Sequence, residues 1–344
     1  MAVVTPASTG PSLLAVGSYT SATGGRGAGV TLLPRDPRTG RPGRPAAVAD
    51  CPSPSFLTAG PGGLVHAAHE LDEGLVSTRR VDGDRWELLG EAPSGGASPC
   101  HLEVVGDLLL AANYGGGVGV LDLRDGVVSG LRTTLRGSGS GPDPERQEAS
   151  HPHSVRRLGD RVAVCDLGTD EIRVHELRDG GGDVDAEPAQ VLRLAPGTGP
   201  RHAAHRDGRL HVAGELDATV TSLTVRGGRL GDPVVAPAVA GPPAAPAPVR
   251  TYPSEIAVAP WGLVVANRGA DVLTLHEVVD GVARPLRDVP IGAANPRHVA
   301  VVGHHLYVAA QDSDRLVHLA LDDDLAVADR SEVEIGSPTC VLPL

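Results

Sequence analysis

Residues 151–170 read HPHSVRRLGDRVAVCDLGTD, in which two histidines flank a proline and an apolar run ends on an aspartate. One such segment decides nothing, but the frame recurs. The proline-led unit stands at Ser-Pro-Ser-Phe (53–56), Ser-Pro-Cys-His (98–101), His-Pro-His-Ser (151–154), Gly-Pro-Arg-His (199–202), Tyr-Pro-Ser-Glu (252–255), Asn-Pro-Arg-His (295–298) and Ser-Pro-Thr-Cys (337–340), seven times in all. After each of the first six comes an apolar, strand-like run with a polar tip: LVHAAHE, LLLAANY, VAVCDLG, LHVAGEL, LVVANRG and LYVAAQD. From proline to tip the interval is 14 to 16 residues.

The seventh unit reaches Leu344 without such a run, while LLAVGSYT (13–20) has the run and no unit before it. The two ends complete one repeat, as a closed ring requires: the last inner strand pairs with strands from the start of the chain, and no sheet edge is left open. Seven repeats in 344 residues give a period of about 49, which suits a four-stranded blade. The expectation is all-β, a seven-bladed β-propeller of four-stranded antiparallel blades, closed by N- and C-terminal strands in one blade, with residues 1–344 as a single domain.

Composition agrees. Forty-five glycines and 30 prolines supply turns, and the runs between them are rich in Val, Leu and Ala. Aromatic residues are only 2 %, so the core is expected to rest on closely packed small aliphatics. Two stretches break the rhythm, GSGSGPDPERQEAS (137–150) and GDPVVAPAVAGPPAAPAPVR (231–250), and both are predicted to be long inter-blade loops. The first leads into the His-Pro-His unit, a place for a lid.

A net charge of −12 argues against nucleic acid or an anionic membrane as partner. The chain has no lysine, which removes Schiff-base chemistry and a P-loop, and GGGVG (115–119) reads as a turn. The start lacks a signal peptide's basic and long apolar regions, and no run approaches a membrane span, so a cytoplasmic protein is expected, and a closed ring with no exposed edge is expected to be a monomer. Cys51, Cys100, Cys165 and Cys340 are dispersed, with no CxxC pair, and are read as reduced thiols.

The motifs GSYT, SPSFLT, NYGGG, HPHS, DLGTD, PGTGPRH, PSEIAV, ANRG and NPRH, in that order over nearly the whole chain, resemble those of the seven-bladed propeller lactonases, a family that includes 6-phosphogluconolactonases and carboxymuconate cyclases. The resemblance implies a small-molecule enzyme. It makes His153 and Glu215 acid/base candidates and Arg201 an anion-binding arginine. It also implies an asparagine more often than His69 or Gly214 before the tips Glu70 and Glu215, a departure expected to shift specificity if those asparagines touch substrate.

The residues themselves lead the same way. Alternate residues of a strand face opposite sides, so Ser55, Cys100, His153, Arg201, Ser254, Arg297 and Thr339, each directly after a proline, are predicted to ring one end of the channel. The polar tips Ser18, Glu70, Asn113, Asp166, Glu215, Asn267 and Gln311 return to that end. Arginines at 201, 268 and 297 suit bidentate capture of carboxylate or phosphate. The catalytic candidates are His153, Glu215 and Arg201, and the substrate-binding candidates are Arg297, Arg268, His101, Glu70, Asn113, Asp166, His202, Glu255, His298 and Gln311. Histidines one place beyond the post-proline residue are expected on the opposite face, and no metal-ligand spacing is present, so neither metal nor cofactor is expected. The functional expectation is hydrolysis of an anionic sugar lactone, above all 6-phosphogluconolactone. The alternatives are a cyclase or isomerase of an unsaturated polycarboxylate and a non-catalytic binding propeller.

Overall fold

A computed structural model describes residues 12–83, 85–241 and 250–344. Seven antiparallel sheets make the ring, and one mixes the two ends of the chain: Pro338–Pro343 is the inner strand against Leu13–Ser18, followed by Val30–Pro34 and Ala47–Ala49. The inner strands of the other six blades are Pro54–Ala59, Ala97–Val105, Pro152–Arg157, Pro200–Arg206, Tyr252–Ala259 and Pro296–Val302. The repeated proline unit therefore opens every inner strand. In the third of these blades the outer position is shared by Asp183–Val184 and Gln190–Arg193.

Between neighbouring blades lie aliphatic cores of the predicted kind. Leu108, Leu110, Val118 and Val120 of the second blade, for instance, pack on Val155, Val162 and Val164 of the third, all at most 2 % exposed. Each such burial contributes about 1.5–3 kcal/mol, and the ring becomes a stiff frame for the channel. Polar staples add to it. The Thr78 hydroxyl accepts Val128 N–H of the next blade at 3.0 Å and bonds His66 Nδ1 at 2.9 Å; Ser222 repeats the device with Ala283 N and His211.

The ladder slips by one residue just after the proline, at Pro54/Phe56, Pro99/His101, Pro152/Ser154, Pro253/Glu255 and Pro296/His298, and Pro200–Ala203 is irregular as well. The residue before the proline stands in the left-handed region at Ser53, Ser98, Gly199, Asn295 and Ser337. A bulge sets two residues against one. This corrects the strict alternation read from sequence: Cys100, His153, Arg201 and Arg297 face the channel, and so do His101, His202 and His298, the second residues after their prolines, one layer below.

Residues 136–151 between Leu135 and Pro152 form no strand, as expected of 137–150. The second predicted loop is partly regular, since the strand Arg229–Pro237 runs into it; residues 242–249 lie outside the described residues.

Candidate active site

At the proline end of the channel the first post-proline layer opens into a cavity of about 310 Å³, lined by Glu70, Ser98, Cys100, Tyr114, Arg146, His153, Arg201, Glu215, Arg268 and Arg297. Its centre is the Glu215 carboxylate, 99 % buried. Arg146 Nη2 donates to Oε1 at 2.6 Å, and Arg201 Nε and Arg268 Nη2 lie 2.7 and 2.8 Å from Oε2. Burial alone would raise the pKa of this carboxyl, but Arg268, Arg201 and Arg146 outweigh it and hold the group ionised well below the usual carboxylate range. Burial, with Arg268 nearby, pulls Arg201 down to about 10, still charged at neutral pH. Across the mouth, Arg297 donates to Glu70 Oε2 at 3.1 Å and lies 4.8 Å over the Tyr19 ring, whose hydroxyl donates to Glu70 Oε1 at 2.7 Å.

His153 stands between these groups. Burial, reinforced by Arg201, holds its pKa well below 6.5, so the imidazole is neutral at pH 7. Its Nδ1 lies 3.6 Å from Cys100 Sγ, a thiol that burial pushes up to about 12. Nε2 makes no hydrogen bond among the described residues, and the ring lines the cavity. A neutral imidazole so placed can accept a proton from water. Four arginines against two carboxylates leave the lining with a formal excess of +2, in a chain of net charge −12. Among the described residues no group of three or more His, Cys, Asp or Glu is placed to hold a metal ion.

Residues 13–343 match the family described as "Lactonase, 7-bladed beta-propeller". The chain belongs to that family. It is 29 % identical over 326 residues to the protein YwcC of Lactococcus lactis, covering 86 % of this chain and 90 % of that one. To a protein of Formosa agariphila named 6-phosphogluconolactonase it is 24 % identical, covering 88 % and 90 %. The solved periplasmic gluconolactonase PpgL of Pseudomonas aeruginosa superposes with a TM-score of 0.85 at 26 % identity, over 96 % of this chain and 98 % of that one.

Six residues singled out in the sequence of this lactonase propeller meet at the mouth: His153, Arg201, Glu215, Arg268, Arg297 and Glu70. The others lie elsewhere. Asn113 lies two residues before the end of the strand Leu108–Gly115, fully buried, and its amide donates to the carbonyls of Ser94, Ala111 and Gly117. Asp166, equally buried, accepts from Arg173 Nη1 at 2.6 Å, His151 N at 2.8 Å and Gly168 N at 3.1 Å. Both are occupied by the framework. His101, His202, Glu255 and His298 form the second channel layer, below the mouth: Phe56 and His101 rings lie 4.4 Å apart, His101 and His202 5.1 Å, and His202 Nδ1 is 2.7 Å from Glu255 Oε2. The bulge puts them there. Gln311 starts a short 3-10 turn, Gln311–Ser313, and does not line the cavity.

The tips divide for a one-residue reason. Asn113, Asp166 and Asn267 pair with the prolines of their units, and in that register their equivalents are His69, Gly214 and Ala310. Glu70 and Glu215 are one place further on, where the backbone N–H donates to the residue before the proline, Ser53 O or Gly199 O, and the side chain swings into the mouth. The departures at His69 and Gly214 therefore alter strand-end support. His69 takes the Asn role differently, donating through Nδ1 to Pro52 O and bonding Ser77 Oγ, each at 2.7 Å.

Three lining residues went unread, Ser98 before the second proline, Tyr114 beside Asn113, and Arg146 in the irregular 137–150 segment, while Cys100, read as part of the ring, lies against His153. His151, the first histidine of the opening motif, props Tyr114, stacking at 4.2 Å and bonding its carbonyl at 2.7 Å. At the motif's other end Asp170 accepts Gln147 Nε2 at 2.8 Å and the N–H groups of Gly197 and Gly199 at 2.7 Å, so it braces both the 137–150 segment and the turn before Arg201.

Proposed function

We propose that the protein hydrolyses a dianionic sugar lactone of the 6-phosphogluconolactone type to the corresponding aldonate. The observation that carries this reading is the +2 excess of arginine over carboxylate around one neutral histidine, since a phosphate monoester brings about two negative charges at neutral pH. His153 accepts a proton from water as the water oxygen bonds to the lactone carbonyl carbon. Arg201 faces the developing oxyanion, where a fixed donor in a dry site acts most strongly. As the ring C–O bond breaks, the imidazolium returns the proton to the leaving oxygen. Of the two acid/base candidates His153 takes this role, because Glu215, held ionised by three guanidiniums, is too weak a base; it fixes Arg201 and Arg268 instead. The name of the Formosa relative supports a phosphorylated lactone, and that of the Pseudomonas neighbour, a gluconolactonase, supports a sugar lactone. In this reading the protein acts in the cytoplasm as a single chain.

The test is clearance of 6-phosphogluconolactone above its spontaneous hydrolysis, beside the unphosphorylated lactone. A rate well above background with a phosphate preference supports the reading. No rate above background from folded protein overturns it and turns the search to unsaturated polycarboxylates.

A further inference from the structure

The four guanidiniums of the mouth form a ladder from floor to rim: Arg201 is 3 % exposed, Arg297 16 %, Arg268 20 % and Arg146 35 %. A lactone carbonyl has to meet His153 and Arg201 on the floor. The substituent furthest from that carbonyl, on the exocyclic carbon, then points to the rim. The cation waiting there is Arg146.

Its guanidinium is fixed before any ligand arrives. Nη2 donates to Glu215 Oε1 at 2.6 Å and Nε to the Tyr114 hydroxyl at 3.3 Å, while Nη1 has no protein acceptor among the described residues. Two pinned nitrogens set the plane of the group, and the third remains for an anion. The backbone is held as firmly: Arg146 N donates to Asp143 Oδ1 at 3.2 Å, and the adjacent Gln147, fully buried, bonds Leu167 O and Asp170 Oδ1, both at 2.8 Å. An irregular segment that anchors itself by a buried glutamine next to a rim arginine presents that arginine in one place.

We infer that Arg146 is the specificity-determining residue that selects phosphorylated over unphosphorylated sugar ligands, by binding the phosphate at the rim of the mouth. The inference rests on the lactonase reading for its substrate but assigns to a residue outside the strand repeat a discrimination that the floor arginines do not supply. Arg201 and Arg268 share Glu215 with Arg146 but are more deeply buried, as is Arg297 beside Glu70, so Arg146 alone of the four stands at the rim.

Calorimetric titration of the intact protein with 6-phosphogluconate and with gluconate decides it. Wild type should prefer the phosphorylated acid, and Arg146→Ala should weaken 6-phosphogluconate binding about 10- to 100-fold, the loss of one hydrogen-bonded charge contact, so that the ratio of the two affinities collapses. Arg146→Lys keeps the charge and should restore part of the ratio, which a merely structural role would not do. A preference that survives in Arg146→Ala, or none in wild type, overturns the inference. Hydrolysis of both lactones, followed in parallel, separates the two ideas: a wild type that hydrolyses neither sinks the lactonase reading, while the titrations still decide the role of Arg146.

Discussion

The two ends of the central channel are made by the same inner strands, yet they treat charge in opposite ways. At the mouth, four arginines surround two carboxylates and one of those carboxylates is shared by three guanidiniums. At the far end, a cavity of about 400 Å³ is lined by Glu103, Arg156, Arg157, His205, Glu255 and His298 among others. There the charges are matched within the chain. Glu103 accepts Arg157 N at 3.0 Å and Arg156 Nη1 at 3.3 Å, and Glu255 accepts Ile256 N at 3.1 Å and His202 at 2.7 Å. The far cavity is the larger of the two, so size does not set the mouth apart. Unbalanced charge does, because a buried excess of one sign is costly unless a ligand completes it.

The sharpest way to break this contrast is to remove the base. His153→Ala should lower kcat/KM about 10²- to 10⁴-fold, the usual contribution of a positioned proton acceptor, whereas Glu103→Gln at the far end should leave activity within about 3-fold of wild type in the same assay. Comparable losses from both variants would erase the distinction. Next in size is Glu215→Gln, which strips three arginines of their shared counter-charge. Breaking such a buried set costs about 3–5 kcal/mol, read as a lowered melting temperature, and inorganic phosphate should recover more of it in the variant than in wild type.

The pH dependence follows from the directions of the shifts. The His153 pKa is depressed by burial, so the neutral form persists, and the rate should hold from pH 8 down through 6.5 and fall only in more acid solution. A midpoint at or above 6.5 would contradict a neutral, buried base. Stability has the same sign. His101, His153 and His202 stay neutral when folded and bind protons more readily when unfolded, so stability decreases as pH falls below the unfolded value of about 6.5. The smallest effect belongs to the far end. Arg156→Ala breaks a partly exposed pair and should cost no more than about 1 kcal/mol from the ion pair itself, measured by denaturant unfolding.

The ring was legible because seven proline units at a steady spacing leave one architecture, and ring closure followed from two half-repeats at the ends. The site was legible only in its first layer. His153, Arg201 and Arg297 follow prolines directly, so strand logic finds them. The bulge after each proline is invisible to a period of two, which is why His101, His202 and His298 were placed on the wrong face. Asn113 and Asp166 stand 14 residues after their prolines and Glu70 and Glu215 stand 16 and 15 after theirs, a step that is passed over when all the polar tips are read as one class. Arg146 sits in a segment with no period at all.

Every blade supplies or braces part of the mouth, from Tyr19 in the closing blade and Glu70 in the next to Arg297 in the sixth, 227 residues from its partner Glu70. The inner strand of the closing blade, Pro338–Pro343, follows every other strand in chain order among the described residues. Until it slots beside Leu13–Ser18 the two blades that carry Glu70 and Arg297 have no common neighbour to hold them at contact distance. Ring closure thus sets the span across the mouth. A chain cut before Pro338 should keep most of its aliphatic core and lose the Arg297–Glu70 contact.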